Sequence, residues 1–160
     1  MRGSSKLLIW VVAAIAFWFV RHHDIGRPAP DFTLQGVYGG NDVHLDSFRG
    51  KSVLLVFWST SCGICRHELP VIDKLYYAAA RNNVDIACVN IGDIDGARAI
   101  MRPLRLRLNL VDPDGSAARS YGVSGVPKLV LLDPAGKIAW TASGFQSEST
   151  LRRHLTLPPA

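Results

Sequence analysis

Val53-Leu54-Leu55-Val56-Phe57-Trp58-Ser59-Thr60-Ser61-Cys62-Gly63-Ile64-Cys65-Arg66-His67-Glu68-Leu69-Pro70 is the stretch on which the fold turns. Its first six residues form an unbroken apolar run of strand length, the pattern of a strand covered on both faces. From Cys62 onward the pattern is helical. Two thiols at i and i+3, at a strand-to-helix junction, can close into a disulfide with almost no change of backbone. The first thiol also falls where unpaired helix N–H groups favour an anion. A thiolate is the attacking species in thiol–disulfide exchange, so the spacing points to a reactive pair.

Working outward, strands alternate with helices. Phe32–Leu34 and Val43–Leu45 read as short strands around a glycine turn, Gly36 to Gly40. The helix from Cys62 runs to about Asn82 and contains Pro70, which removes a backbone donor. Val84–Ile91 is the next strand, and Asp95 to Leu106 reads as a helix with Ile100, Leu104 and Leu108 on a shared face. Asn109–Val111 is a short strand and Ser116–Tyr121 a helical turn. Lys128–Leu132 and Ile138–Ser143 form a hairpin, and Ser147–Leu155 a closing helix. The expected class is α/β, a mixed, mainly parallel sheet with helices on both faces.

The chain of 160 residues carries a net charge of +5. The excess is concentrated at the start, where Arg2, Lys6, Arg21 and Arg27 face only Asp24. No basic run with interleaved aromatics appears, so no nucleic-acid partner is expected. Leu7 to Val20 is an uninterrupted apolar run, LLIWVVAAIAFWFV. As a helix it extends ~21 Å, against the ~30 Å hydrocarbon core of a bilayer. Its end, Phe17-Trp18-Phe19-Val20, lacks the small residues of a cleavage site. Snorkelling of Lys6 and interfacial placement of Trp10 and Trp18 lengthen the span. The expected organisation is a signal-anchor over residues 1–21, a linker over 22–30, and one domain over 31–160; the alternative is a cleaved signal peptide, and either exports the domain. Flanking charge puts the N-terminus in the cytoplasm and the domain outside it, where disulfides form.

The three cysteines are Cys62, Cys65 and Cys88. A stapled secreted fold carries more, in even number and wider spacing. One close pair plus one odd cysteine reads as a reactive couple and a small buried hydrophobe in a central strand.

Taken together these residues resemble the thioredoxin superfamily, and within it the membrane-anchored, extracytoplasmic TlpA/ResA-like branch. The resemblance covers about residues 26–156. It rests on the opening segment Gly26-Arg27-Pro28-Ala29-Pro30-Asp31-Phe32-Thr33-Leu34, on Leu45-Asp46-Ser47-Phe48-Arg49-Gly50-Lys51 leading into the central strand, on the cysteine pair, on Pro70, and on Gly125-Val126-Pro127 ahead of a later strand. Three residues depart from the pattern. Ser61 replaces a tryptophan, Ile64 replaces a proline between the cysteines, and Val56 replaces the buried acid of cytoplasmic thioredoxins. Gly-Ile between the cysteines resembles the ScsD-type proteins of bacterial copper-tolerance clusters.

The resemblance implies Cys62 as nucleophile and Cys65 as resolving thiol, with Glu68 moving protons to and from them. It implies a cis bond between Val126 and Pro127, and places Trp58, Val126 and Pro127 around the substrate. It implies no cofactor beyond the redox-active pair and no metal. The expected partners are exported protein thiols and disulfides, with a membrane protein supplying electrons. The expected location is the bacterial inner membrane, single-pass through residues 7–20, with the domain in the periplasm acting as a reductant. Two other classes remain open. Cys62 and Cys65 could hold Cu(I) between soft thiolates, although methionine-rich tracts are lacking. A peroxiredoxin-like peroxidase shares the opening segment, but Ser59-Thr60-Ser61-Cys62 lacks the proline that class places ahead of its cysteine.

Overall fold

The computed structural model describes Trp10 and residues 24–158. The expected signal-anchor therefore lies outside the described residues, Trp10 apart. No helix among the described residues is long and apolar enough to cross a membrane.

Seven strands form one sheet in the order β2-β1-β5-β4-β3-β6-β7. They are β1 (Thr33–Gly36), β2 (Val43–His44), β3 (Ser52–Trp58), β4 (Val84–Ile91), β5 (Leu108–Asp112), β6 (Lys128–Leu132) and β7 (Ile138–Ser143). The helices among residues 24–158 are α1 (Gly63–Arg81), α2 (Ile94–Met101), α3 (Ser116–Ser120) and α4 (Glu148–His154), with a 3-10 turn at Leu45–Phe48.

The thioredoxin-like α/β class and the mixed sheet are as expected; the parallel majority is not. Only β3–β4 and β4–β5 run parallel. The pairs β1–β2, β1–β5, β3–β6 and β6–β7 are antiparallel. Parallel pairing needs a long crossover, which α1 and α2 supply, whereas the short connections at both edges permit only antiparallel return.

Period-two alternation along β3 divides the core. Leu54, Val56 and Trp58 face one side, where Leu69, Ile72 and Leu75 of α1, Met101 of α2 and Leu151 of α4 cover them. Val53, Leu55 and Phe57 face the other, beneath Ala117 and Ala118 of α3 and the rings of Phe32, Phe48 and Tyr121. The central strand is thus apolar throughout because both of its faces are covered.

Two elements differ from the sequence reading. Leu45 belongs to the 3-10 turn rather than to a strand, its side chain buried with Phe48. The helix expected to reach Leu106 stops at Met101, with the Arg102 N–H returning to the Arg98 carbonyl. Pro103 follows immediately and has no N–H with which to continue the ladder. Leu104 and Leu106 still pack on the core, the property that made the segment read as one helix.

The expected linker is docked from Gly26 onward. Gly26 N–H donates to the Ile138 carbonyl at 2.7 Å, Ile138 N–H to Arg27 at 2.9 Å, and Ala29 N–H to Gly136 at 2.9 Å. Tyr121 Oη donates to the Pro30 carbonyl at 2.8 Å. The open edge of β7 has unpaired main-chain groups at its start, and the opening segment satisfies them.

Candidate active site

β3 delivers the chain to the head of α1, and Ser59, Thr60 and Ser61 make the turn between them. Cys62 is the N-cap of α1, with extended backbone, so the helix begins at Gly63 rather than at Cys62. Its sulfur accepts the Cys65 N–H at 3.1 Å, in the place a serine or aspartate oxygen would take in an ordinary cap. Cys62 and Cys65 are joined as a disulfide. Their environments differ: Cys62 is half-exposed, whereas Cys65 is buried in the cluster beneath α1. An incoming disulfide therefore meets Cys62 first.

The peptide bond between Val126 and Pro127 is cis. This segment, just ahead of β6, faces the pair, and the Cys62 sulfur lies 3.6 Å from the Val126 carbonyl oxygen. Val126 is half-buried and Pro127 buried. Trp58, expected to contact substrate, is fully enclosed in the same core cluster as Cys65. It supports the pair from beneath, because the even-numbered residues of β3 point under α1.

Glu68, three residues after Cys65, turns inward. It is only 1% exposed. One carboxylate oxygen, Oε1, accepts the Gln146 N–H at 2.7 Å. The other, Oε2, is buried with no partner among the described residues. Loss of hydration raises its pKa from 4.5 to about 7, and the Gln146 hydrogen bond only partly opposes this. It is thus a carboxyl group able to hold or release a proton near neutrality, one helical turn from the buried thiol. Cys88 is buried in β4, with its thiol pushed well above the ordinary range by burial and then by the charges of Asp73 and Glu68. It remains a protonated thiol, as expected of a bystander. Arg66 and His67 are exposed on the outer side of α1.

One residue of the site is absent from the sequence reading. Asp93 caps α2, its Oδ1 accepting the Gly96 N–H at 3.0 Å. Its Oδ2 accepts the Thr60 hydroxyl, also at 3.0 Å. These hydrogen bonds hold the Asp93 carboxyl below its usual range. The turn that carries Cys62 is thereby clasped to the start of α2. The local signal was an aspartate three residues ahead of Gly96, an N-cap spacing; its link to Thr60 spans 33 positions and has no local signature. Gly96 leaves room for the clasp, since a Cβ there would collide with the Asp93 carboxylate and press on Thr60 Cγ2. Gly96→Ala is expected to cost about 1–3 kcal/mol of stability, read as a fall in the thermal midpoint. An unchanged midpoint would mean that the clasp gives way without cost.

The AhpC/TSA family model matches residues 25–141. A Bacillus subtilis (strain 168) protein named thiol-disulfide oxidoreductase ResA is 31% identical over 134 residues, covering 82% of this chain and 74% of its own length. Its namesake from Geobacillus thermodenitrificans (strain NG80-2) is 30% identical over 136 residues, covering 82% and 76%. Among solved structures, a Chlorobium tepidum protein described as thiol:disulfide interchange protein DsbE matches with a TM-score of 0.76 at 29% identity, over 83% of this chain and 96% of that one. The pneumococcal exposed lipoprotein thioredoxin Etrx1 of Streptococcus pneumoniae strain TIGR4 matches with a TM-score of 0.69 at 29% identity, over 79% and 98%. The shared cysteine chemistry and the extent of these matches agree: the chain belongs to the thioredoxin-like AhpC/TSA family, as a ResA-like thiol-disulfide oxidoreductase.

Proposed function

We propose that this oxidoreductase reduces disulfides in exported proteins, held at the outer face of the bacterial inner membrane by residues 7–20 and resupplied with electrons by a membrane partner. The observation that carries the direction is the surroundings of the Cys62 sulfur. A strong oxidant owes its potential to a heavily stabilised thiolate. Here a single N–H, that of Cys65, donates to the sulfur, and the negative end of the Val126 carbonyl stands 3.6 Å from it. The head of α1 and this N–H favour a thiolate while the carbonyl opposes it, so the stabilisation is partial, which favours a reducing couple.

In the reducing direction, the Cys62 thiolate attacks one sulfur of a substrate disulfide and expels the other as a thiolate. A mixed disulfide results. Cys65 then loses its proton and attacks the Cys62 sulfur, expelling the substrate sulfur as a second thiolate, which takes a proton from water, and closing the Cys62–Cys65 bond. The proton leaving Cys65 is assigned to the Glu68 carboxylate. Val126 offers its main chain to an extended substrate segment, in the manner of strand addition. Location outside the cytoplasm is supported by the charged, apolar leader and by the surface exposure that the pneumococcal relative's name records.

The reduction potential tests the direction. Equilibration with a thiol–disulfide buffer is expected to place the couple near that of thioredoxin, about −270 mV, and below about −200 mV. A value near −120 mV, that of a strong oxidant, would reverse the assignment.

A further inference from the structure

Asp73, Tyr77 and Arg81 recur at four-residue spacing along one side of α1, and the connection from α2 to β5 lies against them. The Arg105 N–H donates to the Asp73 carboxylate. The Arg105 guanidinium stands over the Tyr77 ring, 5.8 Å from its centre. The same connection, Arg102-Pro103-Leu104-Arg105-Leu106-Arg107, buries Leu106 and leaves Arg102, Arg105 and Arg107 exposed. Arg102, Leu104 and Arg107 edge a cleft of about 200 Å³ beside Tyr38. Tyr38 and Tyr77 are 54% and 53% exposed. Because the patch is assembled from α1 and a distant connection, no run of sequence displays it.

Among the described residues no carboxylate forms an ion pair with Arg81, Arg102, Arg105 or Arg107, whereas Arg49, Lys51, Arg98 and Arg152 are each matched to an acid. Asp73, which lies among them, is taken up by the Arg105 main chain. Guanidiniums gathered without counter-charge repel one another, and an anionic surface relieves that repulsion. Exposed tyrosines suit the same setting, since each presents an apolar body and a polar tip to the headgroup region of a bilayer.

Position adds a second argument. Along α1, Tyr77 and Arg81 stand ~18 Å and ~24 Å beyond Cys65. Asn83 follows at the start of β3, where its carbonyl accepts the Ser52 N–H. At this end of the sheet Val53 pairs with Leu132, and Leu132 with Ile138, onto which Gly26 is docked. The chain coming from residues 7–20 therefore joins the domain at the end that carries Arg81, remote from the reactive pair.

We propose that the surface formed by Arg81, Arg102, Arg105 and Arg107 with Tyr38 and Tyr77 lies on anionic phospholipid headgroups of the bilayer that residues 7–20 enter. It is a second contact, which holds the domain with Cys62 on the side away from the lipid. This rests on the anchored reading proposed above.

The test reconstitutes the full chain in nanodiscs of phosphatidylcholine alone or of phosphatidylcholine with phosphatidylglycerol. Arginine side chains are then modified with phenylglyoxal, and each site is followed by mass spectrometry. Arg66, exposed near the head of α1, is the internal reference. Relative to Arg66, modification of the four patch arginines is expected to slow about fivefold or more in the anionic discs, and to recover in about 0.5 M salt. Replacing Arg105 and Arg107 together with glutamine is expected to bring Arg81 and Arg102 to within about twofold of their rates in the zwitterionic discs. Equal relative rates in the two discs overturn the proposal. So does protection by a single-stranded oligonucleotide with none by anionic discs, which would make the patch a nucleic-acid surface. A full chain that enters neither disc overturns the anchored reading itself, and the second contact with it.

Discussion

Replacing Cys62 with serine is expected to abolish disulfide reduction, on the order of a thousandfold or more, because a hydroxyl supplies no thiolate near neutral pH. Replacing Cys65 with serine is expected to have a different effect. The exposed Cys62 still attacks, but no second thiol lies within the protein to displace the substrate, and the mixed disulfide accumulates. Insulin reduction followed by turbidity reads the first outcome, and the mass of the trapped adduct reads the second. The two roles follow from the asymmetry of burial, with Cys62 half-exposed at the head of α1 and Cys65 enclosed beneath it. In the reduced protein the same asymmetry makes Cys62 the first cysteine alkylated. Equal alkylation rates for the two thiols would contradict the assignment of nucleophile and resolving thiol.

Glu68 gives the second large effect, in stability against pH. Its carboxyl has a pKa of about 7 in the folded protein against 4.5 as its ordinary value. Below about pH 4.5 both the folded and the unfolded chain hold the proton. As pH rises from there to 7, the unfolded chain releases it while the folded chain keeps it, so unfolding becomes progressively easier. Above about pH 7 both have released it and the effect is complete. The span corresponds to about 3 kcal/mol of stability lost between acid and neutral pH. Glu68→Gln is expected to remove this slope. The amide oxygen still accepts the Gln146 N–H, and no charge forms in the core. Denaturant titrations at several pH values check the result, the variant gaining on the wild type as pH rises. Parallel slopes in the two proteins would return Glu68 to an ordinary ionised carboxylate. If Glu68 also takes the proton from Cys65, the pH profile of mixed-disulfide resolution changes in the same variant.

What was legible in the sequence was what local pattern encodes. The run Val53–Trp58, the cysteine spacing and the hairpin around Pro134 each carry their structure within a few residues. The positions of Cys62, Cys65, Val126 and Pro127 followed from that and from the family likeness. Glu68 could be placed on the correct face of α1 by counting from Cys65, but its burial could not, because the turn that covers it comes from residues 144–146. The family likeness places Trp58 at the substrate, yet strand alternation alone sends it under α1 with Leu54 and Val56. The clasp between Asp93 and Thr60, and the hydrogen bond from Gln146 to Glu68, join segments far apart in the chain. No window of sequence contains both ends of either. Pro103 is a local stop signal that an apolar periodicity, persisting after the helix has ended, conceals.

The docking of residues 26–30 against the start of β7 bears on how far this molecule can reach. Were residues 7–20 to lie in the bilayer, as proposed, few residues would separate the lipid from the docked segment. The attachment point lies at the Ile138 end of β7, whereas the reactive pair lies beyond its Ser143 end, about 20 Å further on. Cys62 would then work within a thin layer above the lipid. Encounters with other membrane-bound proteins would become two-dimensional searches at high local concentration, while a freely diffusing substrate would have to come to the surface to be reduced.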